Sequence, residues 1–165
     1  MAHFLFAGIF LVWATFVASS DIRIRRIRNS LVIAGMVSAL LSAIASRNPF
    51  GISLVQSLVG ASVGLVCFFP FFALRVMGAA DVKIFAVLGA WCGAHALLWL
   101  WVVASLAAGL HALWLMLVSR TSVVALSRRN TPAMELGGRR ATPYAALLVM
   151  PAVVWLLHLM YARGM

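Results

Sequence analysis

A chain of 165 residues that is 65% hydrophobic, with a mean hydropathy of +1.08, cannot hide its apolar surface in one soluble core. This excludes a soluble globular domain and leaves an integral membrane protein. The formal charge of +10 would suit nucleic acid, but the arginines lie in short links between apolar runs, where they follow the positive-inside pattern instead of a binding stripe.

Six apolar segments predict an all-α polytopic membrane protein with six transmembrane helices, arranged as a single domain over residues 1–165. The first, Ala2–Ser19, has no basic residue ahead of it and a charged stretch behind it, so no cleavable signal peptide is expected. Ser30–Ser46 and Ile52–Leu74 follow. The fourth, Val82–Gly93, is short, because about 20 residues are needed to cross the hydrocarbon core. Tilt, local thinning or cover by neighbouring helices would each accommodate it. Ala94–Val118 is the fifth. Tyr144–Tyr161 is the sixth, opened by Thr142-Pro143 as a cap and a proline at the first helical position.

The link from Ser119 to Thr142 contains Pro132, Gly137-Gly138 and the only glutamate, Glu135, and predicts a flexible loop touching anionic lipid. Glu135 reads as a solvated loop charge.

Placing the first link in the cytoplasm puts Arg23, Arg25, Arg26, Arg28, Arg75, Lys83, Arg120, Arg128, Arg129, Arg139 and Arg140 on that side. Arg47 and Arg163 alone fall outside. This asymmetry predicts that both termini face outward. It also brings Asp21 and Asp81, the only two aspartates, to the same cytoplasmic edge.

Each aspartate has a structural explanation. Asp21 can mark the stop-transfer boundary of the first helix, paired with nearby arginines, and Asp81 can be the N-cap of the fourth. The alternative is a catalytic dyad. Two carboxyl groups facing one water resist ionising together, so one keeps its proton while the other serves as base. Such a pair activates water against a peptide carbonyl and protonates the product. Helix dipoles predict Asp81 ionised and Asp21 protonated, since Asp21 lies at a helix C-terminus.

Gly78-Ala79-Ala80-Asp81-Val82-Lys83, continuing through Ile84-Phe85-Ala86-Val87-Leu88-Gly89-Ala90-Trp91, resembles the signature of the type IV prepilin peptidases, membrane aspartyl proteases with a Gly-x-Gly-Asp motif. Asp21-Ile22-Arg23-Ile24-Arg25-Arg26-Ile27-Arg28-Asn29 is similar to their other aspartate motif, and Pro143-Tyr144 to the start of their last helix. The resemblance implies catalytic Asp21 and Asp81, with Gly78, Ala80 and Lys83 as motif support. It implies cleavage of the basic leader from prepilin or pseudopilin precursors at the cytoplasmic face of the bacterial inner membrane. No metal, nucleotide or redox cofactor is implied. The chain is similar to the short, peptidase-only branch of Tad/Flp-type pilus systems, without a methyltransferase or zinc-binding domain.

Two positions depart from the pattern. Ala80 stands where the second motif glycine is usual, and Arg28 where a proline usually precedes the asparagine. Ala80 restricts the backbone if that site needs a positive φ. On this reading Ala80→Gly leaves activity unchanged or raises it.

Other constellations are weaker. Gly60-Ala61-Ser62-Val63-Gly64 with His111 would make a serine protease, but the two side chains lie about 15 and 25 Å deep by helix rise. An offset of about 10 Å is too large for a nucleophile–base contact, and Gly60 with Gly64 reads as a close-packing face. His3, His95 and His158 fall near the outer face, and Cys67 and Cys92 are isolated. The six tryptophans read as core or belt residues. The rival readings are a non-catalytic subunit of a pilus-assembly machine and a small proton-coupled transporter. A transporter would want acids in the outer half, where this chain has none.

Overall fold

A computed structural model describes residues 2–24, 27–74, 77–126 and 144–162. They form six helices: α1 (Ala2–Ile24), α2 (Asn29–Ile44), α3 (Leu54–Ala73), α4 (Ala79–Cys92), α5 (Ala94–Leu126) and α6 (Tyr144–Ala162). No strand occurs among the described residues. Four stretches, Phe4–Arg23, Leu54–Ala73, Ala94–Trp114 and Tyr144–Ala162, are long and apolar enough to cross a membrane. The 16 residues of α2 and the 14 of α4 fall short of that length.

At 1.5 Å per residue α4 extends about 21 Å, against about 30 Å of hydrocarbon. It is enclosed instead. Val82 and every residue from Ile84 to Cys92 are buried, and α2, α3, α5 and α6 all pack against it. A helix that is apolar all round belongs in the interior. Of the three accommodations open to a short segment, the fold uses cover by neighbours.

The α3–α4 seam explains the small residues. A Cβ added at Gly60 would collide with the carbonyl of Gly89, and one at Gly64 would come within 2.6 Å of the Phe85 carbonyl oxygen. Ser57 Oγ donates to the Ala90 carbonyl at 2.6 Å, and Phe68 stacks on Phe85 with centroids 3.8 Å apart. Gly60 and Gly64 are therefore a packing face, as their spacing predicts.

Toward the C-terminal end of α4, Phe10 packs edge-on against both Trp91 and Phe50 at 5.2 Å. Buried Asn48 donates to the Trp91 carbonyl at 3.2 Å and accepts from the Phe50 N–H at 2.8 Å. The α2–α3 connection is thereby tied to the end of α4.

Two boundaries differ from expectation. Helix α1 runs through Asp21 to Ile24, and α5 continues past Val118 to Leu126. The stretch Ser119–Leu126 is more polar but has no glycine or proline to stop a helix, and apolar character is not what sustains one. Glu135, Pro132, Gly137-Gly138, the arginine doublets and Thr142-Pro143 lie outside the described residues.

Candidate active site

Asp81 is not the N-cap of α4. That position is Gly78, with φ −71° and ψ 146°, and Asp81 occupies the third helical residue. From there its side chain folds back and accepts a hydrogen bond from the Gly78 backbone, the return half of a capping box. A Cβ on residue 78 would sit 3.2 Å from Asp81 Oδ2. With a negative φ, Gly78 supplies room for the carboxylate, not conformational freedom.

Ala80 also changes meaning. Among the described residues Ser46 is the one non-glycine with positive φ, and Ala80 lies within the first turn of α4. The position imposes no conformation that alanine resists, so the concern raised by the missing glycine is removed.

Asp21 sits in the last turn of α1, where the exposed carbonyls disfavour a negative charge. The start of α6 compensates. The first N–H groups of a helix have no partner within it, and that of Ala146, third in α6, donates to Asp21 Oδ2 at 2.9 Å. Such a charge-assisted bond suits an ionised carboxylate.

The second carboxyl group also accepts a backbone hydrogen bond, yet its surroundings disfavour its charge. Burial, then the charge of Asp21, lifts Asp81 from the ordinary 3.8 to about 6, against the lowering effect of the Gly78 hydrogen bond. Burial and the neighbouring charge thus favour the protonated form of Asp81, whereas helix dipoles alone predict it ionised. Both aspartates are partly buried, and they are close enough for one charge to act on the other.

Tyr144, the first residue of α6, shares a hydrogen bond of 3.1 Å with Ser105 of α5 and lies within electrostatic reach of Asp81. Lys83 is exposed, and its Nζ donates to Asn29 Oδ1 at 2.8 Å. Sequence reasoning did not identify Ala146, Ser105 or the bond to Asn29. A backbone donor leaves no residue signature, and only the predicted helix start at Pro143-Tyr144 hinted at this turn.

The serine and histidine of the competing constellation are not buried in a site. Ser62 and His111 are both exposed on helices read as membrane spans, as side chains facing lipid would be. Among the described residues no three His, Cys, Asp or Glu side chains are grouped to hold a metal ion.

Apolar helices around a buried short helix, with a carboxyl pair at one end, define a helical membrane protein. The sequence model of the type IV leader peptidase family matches residues 8–113, more than half of the chain and both aspartates, and the chain belongs to that family. Membership implies a protease acting on prepilin-type substrates. No curated protein and no solved structure gives a significant match.

Proposed function

We propose that the chain is an aspartyl endopeptidase that removes the basic leader from Flp-like prepilin or pseudopilin precursors. In this reading it works at the cytoplasmic face of the bacterial inner membrane, with six membrane-embedded helices, outward termini and no methyltransferase activity. One observation carries the proposal: in a leader-peptidase chain with two aspartates, those two lie within each other's field in unlike surroundings.

The unlike surroundings set the roles. Asp21, ionised, takes a proton from water as the water oxygen bonds to the scissile carbonyl carbon. Asp81 gives its proton to the carbonyl oxygen, forming a neutral tetrahedral diol. Collapse breaks the C–N bond. The proton gained by Asp21 passes to the departing nitrogen, and a diol proton returns to Asp81. Each positioned acid or base contributes about 10²–10⁴-fold to such a reaction. Gly78 leaves space for the Asp81 carboxyl group. The precursor's apolar helix would stay in the bilayer beside the enzyme, with its scissile bond near the headgroups.

Co-expression with a candidate precursor tests the reading. The native chain should shorten the precursor on a gel, while Asp21→Asn and Asp81→Asn leave it full length. A precursor left intact by the native chain would support a non-catalytic assembly subunit instead.

A further inference from the structure

The two aspartates ride on helices whose backbones stay apart, although Phe10 of α1 meets Trp91 at the far end of α4. Among the described residues no Cα of α1 lies within 8 Å of a Cα of α4. Near the aspartates the backbone contacts that join the two helices run through intervening elements, and α2 and α6 each touch both. On the α6 side the link is the Ala146 N–H.

On the α2 side three contacts form a ladder. Trp13 of α1 donates its Nε1–H to the Leu31 carbonyl of α2 at 2.8 Å. Gly35, one turn further along α2, is overlain by the Trp13 ring and by Val87 of α4 at distances that leave no room for a Cβ. Lys83 closes the end nearest the aspartates through its 2.8 Å bond to Asn29, the first residue of α2. Lys83 follows Asp81 by two positions, and Asn29 follows Asp21 by eight.

We infer that the Lys83–Asn29 hydrogen bond is a positioning link that fixes the first turn of α4, and hence Asp81, against the α1–α2 unit that carries Asp21. The inference rests on the proposed protease reading. The link acts by position, its ammonium directed at the neutral amide oxygen of Asn29. Lys83 and Asn29 are exposed, so their replacement leaves the core undisturbed.

Misplacement of a reacting group by about 1 Å can cost about 100-fold in rate, and loss of one exposed strut should cost less. Purified chain in detergent, with a prepilin precursor as substrate, gives kcat and KM for Lys83→Met, Asn29→Ala and the double variant. Each single change should lower kcat about tenfold with KM within about twofold, and the double variant should be no slower than the slower single one, since both remove one bond. Asn29→Asp, which keeps an acceptor for the ammonium, should stay within about threefold of native. Equal melting temperatures would show that all variants are folded.

Losses that multiply in the double variant, native rates in the single variants, or a rise in KM alone would overturn the link while leaving the protease reading intact. A native chain that does not cleave, like an Asp81→Asn control, would overturn both.

Discussion

Asp21 in the last turn of α1 accepts a hydrogen bond from the backbone of Ala146 in the first turn of α6. One side chain thus caps a helix from outside and, in the proposed mechanism, also serves as the base. The two tasks separate by substitution. Asp21→Asn keeps an acceptor oxygen but loses the base, so cleavage should fall by at least about 100-fold with little change in melting temperature. Asp21→Ala loses both, and should be less stable than the Asn variant by about 0.5–2 kcal/mol, the usual cost of a lost cap. Equal melting temperatures for the two variants would argue against the cap.

Asp81 must be protonated to act as the acid, and its raised value of about 6 gives the direction of the pH effect. Below that pH the proton is in place; as pH rises through it the acid is lost, so kcat/KM should decline on the alkaline side. Because the chain has only two aspartates, labelling their carboxyl carbons gives two NMR signals. In Asp21→Asn the remaining signal should titrate at lower pH than in the native chain, yet above 3.8, because burial persists while the neighbouring charge is gone. An unmoved midpoint would mean that the two groups do not interact.

Gly78 and Ala80 should behave differently despite sharing a motif. Gly78→Ala places a methyl against Asp81 Oδ2, within 3.2 Å, and should lower kcat about tenfold by displacing the carboxyl group. Ala80→Gly alters only a helical residue. It should keep kcat/KM within about twofold and cost about 0.5–1 kcal/mol of stability. Kinetics and thermal melts of both variants check the pair, and a large activity loss in Ala80→Gly would contradict the assigned geometry.

The α3–α4 seam sets a separate expectation. Gly89→Ala drives a methyl into the Gly60 carbonyl, and should destabilise the chain by about 1–3 kcal/mol, as overpacking does. Ser62→Ala, at an exposed position two residues from Gly60, should stay within about 0.5 kcal/mol of native and cleave normally. Lost cleavage in Ser62→Ala would revive a serine nucleophile.

Helix number and order were legible from hydropathy because each helix is an apolar run bounded by charge or glycine. The continuation of α5 was not, since Ser119 and Arg120 resemble a loop in polarity while remaining compatible with a helix. The candidate carboxyl pair stood out because acids are scarce and sit at segment ends. The partner of Asp21 did not, because it is the backbone of Ala146, a residue 125 positions away in the chain. Lys83 was marked by its motif, but its partner was not: hydropathy and helix spacing say nothing about which exposed amide a lysine 54 residues away will meet.

The most direct test is mass spectrometry of a prepilin precursor incubated with purified native chain, Asp21→Asn and Asp81→Asn. The account predicts a single cut ahead of the precursor's apolar helix by the native chain and an uncut precursor with either variant. Cleavage at the same bond by a variant that retains only one of the two aspartates would contradict it.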